Sequence, residues 1–95
     1  MRTTLVGGMT RLKRDYIEAA KSCGVSLKVF DGNQNRIATR IGQSDLLIVF
    51  TDKLNHSSRR EAVEYARANN IPFRLLHSSG ISTLKACLRG ETRAS

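Results

Sequence analysis

Polar side chains suited to hydrogen bonding and proton transfer follow directly on the most apolar run of the chain. Residues 45–50 read DLLIVF, and the next residues read TDKLNHSSRR. Thr51 and Asp52 therefore lie at the end of a predicted buried strand, with His56 in the same loop. A carboxylate and an imidazole at this point of a fold can orient a ligand or a water, or act as a general acid and base. The segment indicates a binding or catalytic site.

Small and polar residues follow three other predicted strands in the same manner. These segments are GGMT at residues 7–10, DGN at 31–33 and HSSG at 77–80. In an open parallel sheet the carboxyl ends of the strands share one edge, and ligands bind there. We therefore expect one shared site, where glycines let backbone N–H groups approach a ligand. The alternative is that these are ordinary turn and helix-cap residues, which every βα loop contains.

Basic residues concentrate where the predicted helices begin. They are Arg11, Lys13, Arg14, Arg36, Arg59 and Arg60, with Lys53 in the loop before the third helix. A helix N-terminus carries about half a positive charge, so a cation there is destabilising by a few tenths of a kcal/mol. Because these positions would all face one side of the sheet, they predict an anion bound between them, held also by backbone amides.

The sharper phosphate-binding motifs are incomplete. Gly7 and Gly8 are adjacent and do not form G-x-G-x-x-G, although Asp31 has about the spacing of a ribose-binding acid, so dinucleotide binding stays open. The lysine and Ser/Thr of a P-loop are absent. Asp52 has the position of a phosphoacceptor aspartate after a third strand, but glycines replace the acidic pair that such domains need after the first.

Metal binding and catalysis have less support from the spacing. His56 and His77 both fall in the expected site loops, yet they match no metal-ligand motif, and we expect no metal. Each is followed by a serine, Ser57 or Ser78, but adjacent side chains seldom point at each other and no strained elbow motif is present. The cofactor and any catalytic residue are unknown at this point, and enzymatic activity is an open alternative.

The elements that would position these residues alternate between strand and helix. The predicted strands are residues 3–7, 26–30, 45–50 and 72–76. The first predicted helix runs from Leu12 to Cys23 and ends at Gly24, and the second contains Ile37 and Ile41 and ends at Gly42. The third begins with a Ser58-x-x-Glu61 capping box, and the fourth contains Ile81, Leu84 and Leu88. The order βαβαβαβα predicts a small four-stranded parallel sheet with helices on both faces, Rossmann-like or flavodoxin-like, in the order 2-1-3-4.

Length and composition bound the class of protein. The chain has 95 residues, and we expect one domain over 1–90 with residues 91–95 as a disordered tail. A domain of this size favours a homodimer. No apolar run approaches the ~18 residues of a membrane helix, and the start, MRTTLVGG, is too polar for a secretory signal, so we expect a cytoplasmic protein without a membrane partner. Cys23 and Cys87 are expected to be buried free thiols.

Charge is the strongest signal in the bulk composition. Sixteen Lys and Arg face eight Asp and Glu, for a formal net charge of +8. The favoured partner is an anionic small molecule or nucleotide, and the alternative is a basic module that binds nucleic acid or an acidic protein. The chain has two tyrosines, three phenylalanines and no tryptophan, so it has few aromatic side chains on which nucleic-acid bases could stack. Nucleic acid would therefore be bound through its phosphates.

Four segments together resemble a known family of small bacterial domains, the domain of unknown function 2325. The segments are LVGGMTRL, FDG, DLLIVFTDKLNH and IPFRLLHSSGISTL, and the resemblance spans about residues 4–88. It implies a Rossmann-like fold and no established activity. The motifs of the family point to Gly7, Gly8, Asp31, Thr51, Asp52, His56, Ser78, Ser79 and Gly80.

The residues and the resemblance together define a candidate ligand-binding set. Its members are Gly7, Gly8, Thr10, Arg11, Arg14, Asp31, Thr51, Asp52, His56, Ser78, Ser79 and Gly80.

Overall fold

Strands and helices alternate along the chain. The computed structural model describes residues 1–30, 40–52 and 54–93. The strands are β1 (Arg2–Val6), β2 (Ser26–Phe30), β3 (Leu46–Phe50) and β4 (Phe73–Leu76). The helices are α1 (Lys13–Ser22), which follows a short 3-10 helix (Thr10–Leu12), α2 (His56–Ala68) and α3 (Ile81–Arg93).

The strands form one parallel sheet of four in the order β2-β1-β3-β4. In this register Leu5 of β1 lies between Val29 of β2 and Ile48 of β3. Every residue of β3 is buried, because helices cover both faces of a central strand in a parallel sheet. The predicted fold class and strand order are confirmed.

Helices α1 and α3 cover one face of the sheet. Tyr16 and Ala20 on α1, and Leu84 and Leu88 on α3, are 0% exposed and belong to one apolar cluster with the strands. Each pair is spaced i, i+4, so each helix presents a single apolar stripe to the sheet. The ring of Tyr16 lies 5.8 Å from that of Phe50, between centroids.

Helix α2 covers the opposite face. Its buried residues are Ala62 and Ala66, which pack with Val6, Leu47 and Val49 in a second apolar cluster. Alanines at this spacing let the helix axis lie close to the sheet. The contact leaves the neighbouring stripe of α2, with its arginines, on the outside of the molecule.

Helix α2 begins earlier than the sequence predicts. Asn55 is its N-cap, since the Asn55 side-chain oxygen accepts a hydrogen bond of 2.8 Å from the backbone N–H of Ser58. The predicted capping box at Ser58 is therefore wrong. Asn is as favourable an N-cap as Ser, and the helix that starts at Asn55 places Ser58 inside its first turn.

The remaining boundaries differ by small amounts. Strand β1 was predicted over residues 3–7, and both of its ends lie one residue earlier, at Arg2 and Val6. Helix α3 continues through Gly90 to Arg93, although a disordered tail was expected from residue 91. Ile37 of the predicted second helix and the final residues 94–95 lie outside the described residues. Ile41 is helical and 0% exposed, and Gly42 follows with φ 61°, as expected where a glycine ends a helix. Within the described ranges, no helix is both long and apolar enough to cross a membrane.

Neither cysteine forms a disulfide with a described residue. Cys23 and Cys87 are partly exposed and pack against the apolar cluster under α1 and α3. They are less buried than the sequence suggested.

Candidate functional site at the carboxyl edge of the sheet

The loops after β1, β3 and β4 lie at the carboxyl edge of the sheet, and we call them the strand-end rim. The rim consists of residues 7–9, 51–55 and 77–80, of which Lys53 lies outside the described residues. Asp31, the residue after Phe30 in the sequence, also lies outside them. The ribose-binding role considered for Asp31 therefore stays a prediction.

Gly7 is fixed between two neighbouring strands. Its N–H donates to the carbonyl oxygen of Phe30 at 2.9 Å, which continues the β1–β2 ladder. Gly7 has φ +89°, and a Cβ atom there would lie 2.5 Å from the carbonyl oxygen of Phe50 on β3. The Gly7 N–H is thus used inside the fold and is not offered to a ligand, which corrects the role expected for it.

Gly8 packs against the core below the rim. A Cβ atom on Gly8 would lie 3.0 Å from Cε2 of Tyr16 and 3.3 Å from Cγ1 of Val29, so glycine is the residue that fits. No described residue accepts a hydrogen bond from the Gly8 N–H. The expected role of Gly8 as an amide donor to a ligand is therefore compatible with the structure.

A chain of hydrogen bonds ties the three rim loops together. The Met9 N–H donates to the hydroxyl oxygen of Tyr16 at 3.2 Å, and that hydroxyl donates to the carbonyl oxygen of Ser79 at 2.6 Å. Ser79 in turn donates to Oδ2 of Asp52 from its N–H at 3.3 Å and from its hydroxyl at 3.2 Å. The structure therefore brings together Asp52 and Ser79, two residues that the sequence assigned to the site.

Tyr16 of α1 supports the rim from below, and it is absent from the candidate set predicted from the sequence. It falls within the first predicted helix and is 0% exposed. A buried tyrosine hydroxyl needs a hydrogen-bond partner, so a tyrosine in a helix that packs on the sheet indicates polar groups close to it. Ser79 is likewise buried, at 5% exposed, so it holds the rim loops together and has little surface for contact with a ligand.

Asp52 is the acidic group of the rim that remains open to solvent. Its Oδ2 accepts both hydrogen bonds from Ser79. Its other carboxylate oxygen accepts none from a described residue. Asp52 is thus held in place on one side and free to accept a hydrogen bond from a ligand on the other.

Thr51, Ser78 and Gly80 have mainly local contacts. The N–H of Thr51 donates to the carbonyl oxygen of Leu76 at 2.8 Å, and its hydroxyl lies 3.5 Å from the same atom. The Ser78 hydroxyl accepts from the Gly80 N–H at 3.4 Å just before α3. Thr51 therefore joins β3 to β4, while the exposed Ser78 shapes the turn into the helix.

The start of α1 contributes exposed cations to this edge. Arg11, Lys13 and Arg14 are all exposed, and Arg11 and Arg14 form no ion pair with a described residue. The N-cap residues of the 3-10 helix and of α1, Met9 and Leu12, supply no side-chain cap. The N–H groups of Leu12 and Lys13 nevertheless have acceptors, since they donate to the carbonyl oxygens of Met9 and Thr10 in the 3-10 turn.

Two further residues modify the picture at this helix start. Asp15 lies in the first turn of α1, where the helix dipole favours a carboxylate, so the turn carries mixed charge and not cations alone. Thr10 is exposed, and it already has a partner within the protein.

The cations at the start of α2 lie elsewhere. Arg59 and Arg60 line a cavity of about 430 Å³ between α2 and β4, together with His56 and Phe73. The expectation that they face the rim with the cations of α1 is wrong, because α2 begins at His56 and its periodicity places them beside the edge strand. Arg36 and Lys53, the other two cations of that expectation, lie outside the described residues.

Among the described residues, Asp52 accepts hydrogen bonds from Ser79 and none from His56. His56 is exposed and lines two depressions along α2, and Asp52 is among the lining residues of neither. His77 is exposed at the end of β4. Over the described ranges, no three His, Cys, Asp or Glu side chains are grouped as they would be around a metal ion.

The fold and rim define a small Rossmann-like α/β domain whose polar loops collect at the carboxyl edge of a parallel sheet. The chain belongs to the family described as "Uncharacterized protein conserved in bacteria (DUF2325)", whose profile matches residues 2–90. The resemblance seen in the sequence is thereby confirmed over nearly the whole chain. None of the curated proteins matches the sequence.

Two solved structures similar to this one are designed proteins. The de novo designed Rossmann fold protein ROS2_36830 is 14% identical, with a TM-score of 0.66, and the match covers 96% of each chain. The de novo designed Rossmann fold protein ROS2_835 is 16% identical, with a TM-score of 0.63, over 95% of this chain and 94% of that chain. At these identities the similarity establishes the fold alone.

Proposed function

We propose that the protein binds a small anionic ligand, nucleotide-like or phosphorylated, at the strand-end rim. The observation that supports this best is the combination of exposed Arg11 and Arg14, which form no ion pair with a described residue, and a helix start that no side chain caps. An anion at this place would neutralise the arginines and interact favourably with the positive end of the α1 dipole. Both effects would strengthen each other, since helix amides and cations attract the same charge.

Asp52 would give the site its preference for a ligand with hydroxyl groups. Its open carboxylate oxygen is suited to accept from a sugar hydroxyl, while Ser79 holds the other oxygen. The ends of β1 and β3 are adjacent, as the close approach of Gly7 to Phe50 demonstrates. A ligand with a phosphate near α1 and a sugar toward β3 would use both groups, whereas inorganic phosphate would use only the first.

The test is calorimetric titration with ADP and, separately, with inorganic phosphate. We expect the double variant Arg11→Ala/Arg14→Ala to lose about tenfold or more in ADP affinity, because two charge-assisted contacts are removed. The matched control is Arg2→Ala/Lys21→Ala, which removes the same formal charge at the opposite edge of the sheet, where β1 begins and α1 ends. Unchanged melting temperature in both variants would establish that folding is intact.

The Asp52→Asn variant separates the two parts of the proposed site. It should weaken ADP binding and leave phosphate binding the same or slightly tighter, since a negative charge is removed near the anion. If wild-type protein binds neither probe, or if the rim variant and the control variant bind ADP equally well, the proposed site is wrong.

A further inference from the structure

The edge strand β4 and helix α2 enclose a groove that is separate from the strand-end rim. The groove has a volume of about 430 Å³, and the side chains that line it are His56, Arg59, Arg60, Val63, Arg67, Phe73 and Leu75. It is distinct in composition from the rim, because arginines surround an apolar floor and no carboxylate is among its described lining residues. We call it the α2–β4 groove.

The arginines of the groove lie on one side of α2. Arg60, Val63 and Arg67 are spaced i, i+3 and i+7, which places them on one stripe of the helix beside the buried Ala62 and Ala66. None of the three arginines in the groove forms an ion pair with a described residue.

The guanidinium of Arg67 lies over the ring of Phe73, at 5.7 Å from its centroid. This contact orients one arginine along the floor of the groove. It also covers a face of the groove's aromatic ring, so a nucleic-acid base would have to displace Arg67 in order to stack there.

The floor of the groove is apolar and partly open to solvent. Leu75 is 42% exposed, and Phe73 is half-buried against the cluster under α2. Leu75 pairs in register with Val49, and Phe73 with Leu47, so both side chains are on the α2 face of the sheet. An exposed leucine next to an aromatic ring is a contact surface for another apolar side chain.

The backbone of β4 offers hydrogen-bonding groups on its outer side. The carbonyl oxygen of Pro72 accepts from the N–H of Leu47 on β3, and that of Leu76 accepts from the N–H of Thr51, the residue after β3. Because a parallel strand alternates the direction of its backbone groups, Phe73 and Leu75 point theirs away from β3. β4 is the last strand of the sheet, so these groups face outward.

The side chain of Arg74 limits this outer edge to a short segment. Its Nη1 donates to the carbonyl oxygen of Phe73 at 2.9 Å, which covers one of the outward acceptors. The N–H and carbonyl oxygen of Leu75 are the pair left for a partner strand. Blocking part of an edge with a charged side chain is a common protection against non-specific pairing.

We infer that the α2–β4 groove binds an acidic segment of a partner protein in extended conformation. The segment would add to β4 through the backbone of Leu75, place alternate carboxylates against the arginines, and place an apolar side chain on Leu75 and Phe73. This inference does not depend on the proposed function, since it uses a different surface and different residues.

A second copy of the same chain fits this edge poorly. Pairing two β4 strands would bring the arginines of both copies together, and opposed like charges are destabilising. The homodimer expected from the length of the chain would therefore use another surface. The free arginines instead favour a partner of opposite charge.

The probe for the test is a fluorescein-labelled peptide in which every second residue is threonine and the residues between alternate glutamate with valine, so that carboxylates and apolar side chains share one face of the extended strand; its binding is followed by anisotropy. We expect Arg59→Gln/Arg67→Gln to weaken its binding about tenfold or more, because two charge-assisted contacts are lost. The matched control, Arg11→Gln/Arg14→Gln, removes equal charge at the rim and should change the affinity by about twofold or less.

Two changes test the backbone contact. Leu75→Pro removes the outward N–H at a position where an edge strand tolerates proline, and Leu75→Ala keeps it. The proline variant should bind the peptide more weakly than the alanine variant. Methylating the alternate amide nitrogens of the peptide should weaken binding about tenfold with no change in the protein, so this part of the test does not depend on how well the proline variant folds.

Several outcomes would overturn the inference. One is absence of peptide binding, and another is equal affinity for the methylated and unmethylated peptides. Tighter binding of a poly-uridine oligonucleotide than of the peptide, lost in Arg59→Gln/Arg67→Gln, would assign the groove to nucleic acid. A dimer in sedimentation that Leu75→Pro dissociates would assign it to a second copy of the chain.

Discussion

Gly7 is the residue on which the geometry of the rim depends most directly. It has φ +89°, and a Cβ atom would lie 2.5 Å from the carbonyl oxygen of Phe50. We expect Gly7→Ala to lower the free energy of unfolding by about 3 kcal/mol, from left-handed strain together with overpacking. In a domain of this size that is a fall of roughly 15 °C in melting temperature, measurable by circular dichroism.

Gly24 provides the matched control for this substitution. It has φ +75°, but a Cβ atom there would meet nothing within 4 Å. Gly24→Ala should therefore show the strain alone, about 1 kcal/mol, and a fall of roughly 5 °C. Equal losses in the two variants would mean that the contact with Phe50 contributes nothing and that the strand ends separate readily.

Tyr16 demonstrates how one buried hydroxyl can set the direction of a hydrogen-bond chain. The hydroxyl accepts from the Met9 N–H and donates to the carbonyl oxygen of Ser79. An amide can only donate and a carbonyl can only accept, so the proton of the hydroxyl has a single suitable position. The Ser79 N–H is then directed to Asp52, and the rim has one arrangement instead of several.

Among the elements, the start of α2 decides which residues face the edge strand. Asn55 caps the helix by accepting from the Ser58 N–H. We expect Asn55→Ala to reduce stability by about 1 kcal/mol, as the loss of an N-cap does. Ser58→Ala should change it by about 0.5 kcal/mol or less, since that side chain is inside the first turn. The measurement is urea unfolding of both variants.

If Ser58→Ala lost more stability than Asn55→Ala, the helix would be capped by Ser58, as the sequence predicted. The helix would then begin after Ser58, and the stripe of Arg60, Val63 and Arg67 would lose its first turn of support. The control for the chemical change is Ser57→Ala, an exposed position in the same turn.

Helix ends were more predictable than helix starts. Gly24 ends α1 as expected, with Gly24 donating to Lys21 and Val25 to Ala20 in the pattern of a Schellman motif. Asn70 ends α2 in the same manner at φ 56°, and asparagine is the residue that most often replaces glycine there. For the start of α2 the sequence offers two good caps, Asn55 and Ser58, and local preference cannot choose between them.

The candidate site was predictable in place and not in detail. Alternating strands and helices determine that the loops after β1, β3 and β4 share an edge, so Asp52 and Ser79 could be assigned to one region. Their hydrogen bonds join residues 27 positions apart, and the bond from Tyr16 to Ser79 joins residues 63 apart. Such contacts depend on side-chain positions to within an ångström, which periodicity does not give. The predicted positions of Arg59 and Arg60 were wrong for a related reason. The direction of these side chains depends on how α2 is rotated about its axis, which the sequence pattern does not give.

On the scale of the whole molecule, the positive charge is divided among several surfaces. The chain carries a formal net charge of +8. Exposed Arg11 and Arg14 lie at the start of α1, while Arg59, Arg60 and Arg67 line the α2–β4 groove. The described residues do not form the single continuous basic face that the sequence suggested. The division favours small or narrow partners over a long polyanion.

This division predicts how the protein responds to nucleic acid. A single-stranded DNA probe that engages one surface would contact about three phosphates, which gives a slope near −2 when the logarithm of the association constant is plotted against that of salt. Affinity should then fall only roughly twentyfold between about 50 and 200 mM salt. The measurement is anisotropy of a labelled oligothymidine across that range, with Arg11→Ala/Arg14→Ala and Arg59→Gln/Arg67→Gln as paired variants. Only the variant on the engaged surface should flatten the slope. A slope of about −4 or steeper, reduced by both variants, would mean that the two surfaces act as one, and it would favour the nucleic-acid module over a small anionic ligand.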